Sequence, residues 1–302
     1  MSSKYYPYLV FIAALLRATD APFRTMLAIN LDSGLIVLIE HLINLVIIIP
    51  LLVMGWKEIQ KLHRKDRGAL IFIGIGWSAL ASIAFTYSFK LVNPSIAIIL
   101  QKLQPLLVIW LSGFILLEKF TRKFRVGAGV CLVAGYFLSF PTGLPYLYDG
   151  EQYNPQFLGI VCILASVVLR WGSTVLGKFV LSKTSFPTIT ALRFAIASVF
   201  LIVLNTWTGT IGHITSVTPH QRWYLIIIAL VSGSLSLLLY YKWLQKTPAS
   251  VATFAEYGFP VGAVVINYFA LGQGLSRLQV AMMGVILVAI YGMQYKSSRI
   301  QS

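Results

Sequence analysis

The sequence predicts an all-α membrane protein of ten transmembrane helices, arranged as two inverted five-helix repeats. Three observations predict this fold: an excess of apolar residues, ten apolar runs separated by short loops, and an internal repeat. Of the 302 residues, 58% are hydrophobic and 11% are charged, and the mean hydropathy is +0.80. A soluble domain is closer to about half apolar and about a quarter charged. The lipid bilayer is the solvent that accommodates this excess.

Ten apolar runs have the composition of membrane-crossing helices, each of which needs about 20 residues. In the first half of the chain they lie at residues 6–28, 34–54, 69–89, 95–117 and 126–140. In the second half they lie at residues 157–181, 187–206, 223–243, 249–271 and 278–294. The first run is the weakest because Arg17 and Asp20 interrupt it.

Lysine and arginine concentrate in every second loop, as the positive-inside rule requires of cytoplasmic loops. Residues 55–68 carry five of these cations and residues 118–125 carry four, whereas residues 141–155 and 207–220 carry none. This asymmetry predicts a multi-pass membrane protein with both termini in the cytoplasm, and we expect its location to be a prokaryotic inner membrane. The formal net charge of +15 is therefore interpreted as membrane orientation and not as binding of nucleic acid.

Several functional classes are disfavoured by missing motifs. The two cysteines, Cys131 and Cys162, lie inside apolar runs and form no CxxC pattern, so we expect neither a disulfide framework nor a metal site. The sequence contains no GxxxxGK[ST] phosphate loop, and we expect no cofactor. It also contains no HExxH or GxSxG motif, which argues against an intramembrane enzyme.

The two halves of the chain align with each other. Residues 93–97 (NPSIA) correspond to residues 248–252 (PASVA), and the same offset relates the pairs Pro105 and Pro260, Gln101 and Glu256, and Lys102 and Tyr257. We place the first repeat at residues 1–143 and the second at residues 144–302. Since each half holds five predicted spans, an odd number, the second half enters the membrane upside down, as in many secondary transporters.

Several segments resemble EamA-type proteins of the drug/metabolite transporter superfamily. They are residues 99–105 (ILQKLQP), 114–121 (FILLEKFT), 170–173 (RWGS), 247–252 (TPASVA) and 271–276 (LGQGLS). The resemblance covers essentially the whole chain. It implies a secondary active transporter that exports an amino acid, a metabolite or a drug by alternating access, with proton exchange as a hypothesis. An uncoupled facilitator or channel for small solutes remains the alternative.

When groups near the span ends are set aside, six ionisable side chains are the central candidates within the predicted spans, where charge is costly and usually functional. They are Arg17, Glu40, Lys102, Arg170, Arg193 and Glu256. Their depths predict one cluster of Glu40, Lys102 and Arg17 toward the outer face, and another of Arg193, Glu256 and Arg170 toward the inner face. Such clusters either line the pathway as gates or form fixed salt bridges between helices. The excess of cations favours an anionic or carboxylate-bearing substrate.

Aromatic and amide side chains complete the predicted site. The candidates for substrate binding are Trp77, Tyr87, Gln101, Gln104, Tyr240 and Tyr257. The alternative role for such residues is interhelical hydrogen bonding or anchoring at the membrane interface. Pro105 and Pro260 are candidate hinges because proline removes a backbone donor and kinks a helix, although they could also shape a static bundle. The expected partners are a small-molecule substrate, the lipid bilayer and protons.

Overall fold

The computed structural model describes residues 6–104, 122–142, 148–149, 152–181, 184–236, 239 and 256–297. These residues are helical apart from turns and one small hairpin, so the helical class predicted from the sequence is confirmed. In the first half the helices are α1 (Tyr6–Ala18), α2 (Asp20–Asn30), α3 (Ser33–Met54), α4 (Trp56–Gln60), α5 (Arg64–Phe72), α6 (Ala81–Ser88), α7 (Pro94–Gln101) and α8 (Arg122–Ser139). In the second half they are α9 (Pro155–Leu181), α10 (Phe186–Trp207), α11 (Pro219–Ile226), α12 (Gly258–Leu271) and α13 (Arg277–Ser297).

The remaining regular elements are short. Strands β1 (Tyr148–Asp149) and β2 (Gln152–Tyr153) pair antiparallel, with Tyr148 opposite Tyr153. A 3₁₀ helix spans Thr210–Ser216.

Three helical stretches among the described residues are long and apolar enough to cross a membrane. They are Ser33–Met54, Arg64–Ser88 and Phe186–Trp207, and they coincide with three of the predicted spans. Four shorter apolar helices lie at Arg125–Ser139, Pro155–Arg170, Gly258–Leu271 and Arg277–Met293. The predicted spans at 95–117, 223–243 and 249–271 each extend into residues that the structure does not describe, so the count of ten stays a prediction.

The first predicted span, residues 6–28, is divided in two, which corrects the expectation of a continuous helix. Helix α1 ends at Ala18 and α2 begins at Asp20. Pro22 has no N–H to donate to the carbonyl of Ala18, which ends the hydrogen-bond ladder at that point. The Thr19 hydroxyl instead bonds to the Leu16 carbonyl at 2.7 Å and lies 2.9 Å from the Ser232 hydroxyl.

Among the described residues, each half of the chain contains one π-helical segment. The first, Ile73–Leu80, joins α5 to α6, and the second, Ile227–Leu235, follows α11. Such wide turns are rare and occur frequently at functional sites. In the first segment Gly74 lies against α10, where an added Cβ would meet Ile196 Cγ2 at 2.6 Å. The absence of a side chain at Gly74 therefore allows this close approach.

The described chain divides into two compact units. Unit 1 takes its described residues from Met1–Pro22, Val92–Ile160 and Val231–Ser302, and unit 2 takes them from Phe23–Leu91 and Val161–Leu230. Each unit therefore draws helices from both halves of the sequence. In unit 1, α1 packs on α12 and α8 packs on α13. In unit 2, α10 packs on α3 and on the first π-helical segment.

Glycines allow close packing in unit 1. A Cβ at Gly262 of α12 would meet Leu15 of α1 at 2.5 Å, and one at Gly127 of α8 would meet Met293 of α13 at 2.7 Å. In a membrane, where lipid tails are as apolar as the helices, such close van der Waals contact is a main source of association. Unit 2 has instead a fully buried core formed by Leu35, Val37, Leu38, Ala79, Ala197 and Leu201.

A carboxylate in the loop after α3 caps the start of α10. Glu58 Oε2 accepts a hydrogen bond of 2.8 Å from the backbone N–H of Ser185. The Ser185 hydroxyl lies 2.9 Å from that of Thr188 and makes no capping bond of its own. Hydrogen bonds from the backbone and side chain of Ser185, with a further one from Thr188, hold the pKa of the Glu58 carboxyl below its ordinary value. Glu58 thus ties the α3–α5 loop to the beginning of α10.

Replacing Gly74 by alanine should destabilise unit 2. The new Cβ would overlap the branched side chain of Ile196, which cannot rotate away, and overpacking of this kind typically costs about 1–3 kcal/mol. We expect Gly74→Ala to lower the apparent Tm of the detergent-solubilised protein, followed by tryptophan fluorescence. The control Gly129→Ala adds a Cβ in open space and should leave the Tm unchanged or slightly raised. An equal Tm for both variants would contradict the tight contact.

Protonation of Glu58 should weaken the cap on α10. Because the pKa of this carboxyl is depressed in the folded protein, its stabilisation is present above the unfolded value of 4.5 and is lost as the pH falls through the lower folded value. We expect Glu58→Gln to lower the apparent Tm at pH 7, and the difference from the unmodified protein to shrink below pH 4.5. The exposed Gln60→Ala on the same helix is the control. A difference that stays constant with pH would contradict the cap.

Candidate functional site

A largely buried ion pair lies in unit 2. Arg24 of α2 donates from Nη2 to Glu40 Oε2 of α3 at 2.9 Å, and from Nη1 to the Thr86 hydroxyl of α6 at 3.0 Å. Arg24 is 6% exposed and Thr86 is fully buried. A buried charge is tolerated only when it is paired and hydrogen-bonded, and this arrangement supplies both.

The sequence analysis placed Glu40 with Lys102 and Arg17 in an outer cluster, and that grouping stays a prediction. The salt bridge that the structure shows for Glu40 is to Arg24, which sequence reasoning missed. Helices α2 and α3 are joined by a short turn in which Asp32 caps α3, accepting from the N–H groups of Gly34 and Leu35. The turn brings Arg24 beside Glu40. The sequence did contain a signal for this pair, because Arg24 is a further charged residue within the weak first predicted span.

Aromatic rings flank the arginine of α10. The guanidinium carbon of Arg193 lies 4.6 Å from the centroid of the Trp77 ring and 5.0 Å from that of Phe194. The guanidinium carbon of Arg170, in α9, lies 5.6 Å from the Phe85 ring. These are cation–π distances, which are worth most where water is excluded. Trp77 is carried by the first π-helical segment, so an irregular helix places one of the rings.

His41 joins the two groups in unit 2. Its ring is buried, its Nδ1 lies 2.8 Å from the Val37 carbonyl, and its ring centroid lies 5.1 Å from that of Phe194. The charges of Arg193, Arg24 and Arg170 all act on its imidazole. The structure therefore brings four predicted site residues into one region: Glu40, Trp77, Arg170 and Arg193. It adds Arg24, His41 and Phe194 to these four. We call the seven residues together the unit 2 site.

A second group of predicted residues lies in unit 1. Lys102 Nζ and the guanidinium carbon of Arg17 lie 5.5 Å and 5.8 Å from the Phe259 ring centroid. Glu256 attracts Lys102 electrostatically, whereas Arg17 repels it. The grouping of Arg17 and Lys102 matches part of the predicted outer cluster, and Glu256, expected in the inner cluster, acts on Lys102 instead.

Both helices of this second group are interrupted at equivalent positions. Helix α7 ends at Gln101, with Lys102 and Leu103 in a tighter turn, and α12 begins at Gly258 after Tyr257. Residue 105 is a proline and cannot donate to the Gln101 carbonyl, just as Pro260 cannot donate to that of Glu256. The buried Nε2 of Gln101 has no acceptor among the described residues. The repeat thus places an amide, a carboxyl and a cation beside two helix interruptions.

Four of the predicted site residues remain to be placed. Tyr87 of α6 is 37% exposed, and its ring centroid lies 6.0 Å from Lys90 Nζ, so its side chain reaches the protein surface. Gln104 follows the turn after α7 and is partly buried. Tyr240 and Pro105 lie outside the described residues. An open, apolar groove of about 430 Å³ in unit 1 is lined by α1 and α12, with Thr19 as its polar residue, and it contains no predicted site residue.

Comparison with known proteins identifies the family. The EamA-like transporter family model matches residues 5–140 and again residues 157–295. A riboflavin transporter, ImpX, from Fusobacterium nucleatum subsp. nucleatum is 30% identical over 289 residues, which cover 93% of this chain and 95% of that protein. An uncharacterized transporter of Bacillus subtilis, YetK, is 26% identical over 239 residues, covering 78% of this chain and 69% of its own length.

A solved crystal structure supports the same fold. It covers 100% of both chains with a TM-score of 0.58, at 16% sequence identity. The resemblance noted from the sequence segments is therefore confirmed, and the repeat corresponds to two copies of one family domain. The chain belongs to the EamA-like transporter family of integral membrane proteins.

Proposed function

We propose that this chain is a ten-span inner-membrane transporter that moves a planar aromatic solute of the flavin kind by alternating access. Three observations support the proposal: the relative named as a riboflavin transporter, the two family domains, and the aromatic and cationic side chains of the unit 2 site. The alternation of basic loops supports ten spans in two inverted halves, 1–143 and 144–302, with both termini in the cytoplasm.

The observation that carries the substrate class is the position of Arg193 beside Trp77 and Phe194. Aromatic rings stack on a planar heteroaromatic solute, and a guanidinium donates in a planar fork to carbonyl oxygens such as those of a flavin ring. The buried Arg24–Glu40 pair holds α2 and α3 beside this group. Ligand sites of this kind combine apolar walls with a few well-placed polar groups.

Alternating access is proposed to use the interruptions at Gln101 and Tyr257, with Pro105 and Pro260 as hinges. Prolines at equivalent positions of the repeat weaken both helices, so that each can bend without loss of a native hydrogen bond. Discontinuous helices near the membrane centre are a recurring feature of secondary transporters. The paired π-helical segments add a second place where the helices can change register.

Proton exchange is proposed to act through Glu256. Glu40 is held by Arg24 in a salt bridge, whereas Glu256 lies at a helix interruption where its charge acts on Lys102. A carboxyl that binds a proton would release Lys102 and Arg17 to rearrange. The alternative function is an uncoupled facilitator, in which Glu256 serves only to hold the interrupted helices. Export, the direction implied by the family resemblance, is part of the proposal.

Substitution of Arg193 should impair solute recognition more than folding. In proteoliposomes, we expect Arg193→Gln to reduce counterflow of labelled riboflavin at least tenfold, because loss of a charged hydrogen bond costs about 1.5–3 kcal/mol. Arg193→Lys should recover little, since an ammonium lacks the planar fork. Arg277→Gln, an exposed arginine, is the control. Unchanged riboflavin counterflow in Arg193→Gln would contradict the substrate assignment.

Proton coupling can be separated from transport itself. We expect an imposed pH gradient to drive net riboflavin movement by the unmodified protein, in the direction opposite to proton flow. Glu256→Gln should abolish this response while retaining counterflow, because exchange of solute for solute moves no net proton. Glu40→Gln is expected to lower the apparent Tm, because the buried Arg24 would lose the carboxylate with which it forms a salt bridge. A flux indifferent to the gradient would favour the uncoupled facilitator.

A further inference from the structure

The loop between α3 and α5 presents a cationic surface. Its members, which we call the basic collar, are exposed side chains of one short stretch: Lys57, Lys61, Arg64, Lys65 and Arg67. Helix α4 carries the first of them, and α5 begins with the third. The sequence alone would assign these residues to membrane orientation, with two carboxylates in the same stretch to offset part of their charge.

In the structure both carboxylates of this stretch accept backbone hydrogen bonds at the start of a helix. Asp66 is fully buried and accepts a 3.1 Å hydrogen bond from the backbone N–H of His63. This bond is part of the capping box at the start of α5. Glu58 accepts from the N–H of Ser185 at the start of α10. Asp66 is thus withdrawn from the surface, whereas Glu58 stays at the surface, where its charge acts on Lys61. The five exposed cations of the collar therefore keep a net positive charge against this one surface carboxylate.

The collar is also held in place. Arg67 donates from Nε to the Leu62 carbonyl at 3.1 Å, and the buried Leu62 belongs to a small core with Leu70 and Ile189. Gly55 lies against Thr188, where a Cβ would come within 2.3 Å of the hydroxyl oxygen. The loop is therefore packed on the start of α10, so the backbone positions that carry its cations are held together on one surface.

Exposed apolar side chains adjoin the collar on both sides. Val53, Met54 and Trp56 at the end of α3 and the start of α4 are 71%, 80% and 59% exposed. Ile71 and Phe72 of α5 are 50% and 44% exposed. Since α3 and the Arg64–Ser88 stretch are membrane-crossing by length and apolarity, these side chains meet lipid tails. The collar then lies at the depth of the headgroups, and Trp56 at the interface that tryptophan favours.

We propose that the basic collar binds the phosphate groups of anionic phospholipids in the leaflet at this end of α3. Charge complementarity selects an anion, and the adjoining apolar side chains select one that carries acyl chains over free phosphate or nucleic acid. Clusters of four or more cations immediately beside a membrane span bind anionic lipid in this way. Because Glu58 joins the same loop to Ser185, lipid bound at the collar stabilises the start of α10.

The test uses the full-length protein in nanodiscs of phosphatidylcholine with and without phosphatidylglycerol. We expect phosphatidylglycerol to raise the apparent Tm. In native mass spectrometry, we expect the protein to retain about tenfold more phosphatidylglycerol molecules than phosphatidylcholine molecules. The quadruple variant Lys57→Gln, Lys61→Gln, Arg64→Gln and Lys65→Gln should lose both effects. Salt at about 1 M should also weaken them, because the Debye length falls to about 3 Å.

Two controls decide what the result means. The variant Lys90→Gln with Arg277→Gln removes exposed cations elsewhere and should keep the preference for phosphatidylglycerol. Inorganic phosphate added to phosphatidylcholine nanodiscs should not raise the Tm. If the quadruple variant fails to fold, the double variant Lys57→Gln and Lys61→Gln should show a partial loss. Retained preference in the collar variants, equal loss in the control, or an equal effect of phosphate would overturn the proposal.

Discussion

The salt bridge between Arg24 and Glu40 is the interaction on which the unit 2 site depends. Two charges removed from water are stable together only when their remaining hydrogen-bonding groups are also satisfied, and Thr86 accepts from Arg24 for that reason. The pair links three helices, α2, α3 and α6. With these helices set, the positions of His41 on α3 and Phe85 on α6 follow, and so do the surroundings of the other two arginines.

Irregular helices are the second constraint on the structure. They affect both how the helices pack and where the candidate site residues lie. Proline ends the hydrogen-bond ladder after Ala18, and prolines at 105 and 260 remove donors from the carbonyls of Gln101 and Glu256. Two π-helical segments add wide turns, one of which carries Trp77 to Arg193. In a membrane, irregular backbone is tolerated only where protein or a water-filled cavity surrounds it. Lys102 and Glu256, whose charges act on each other, lie beside these interruptions.

The spatial units and the sequence repeat describe different aspects of the same chain. Two copies of the family domain follow each other along the sequence, whereas each compact unit takes helices from both. Glycines such as Gly262 and Gly74 allow close helix contacts, and their partners come from the other half of the chain. Side chains that are remote in sequence, for example Arg17 and Phe259, consequently meet within one unit.

The sequence by itself determined the helical class, the membrane as solvent, the repeat and the family, because apolar content, proline spacing and loop charge are local and additive. It also singled out Arg193, Trp77, Lys102 and Arg17, since charges and large aromatics in apolar runs are conspicuous. Tertiary structure alone decided which of these meet, because depth along a helix does not specify the face. It paired Glu40 with Arg24, buried Asp66 and placed Glu58 at the start of α10, through a short turn and two helix caps that hydropathy does not detect.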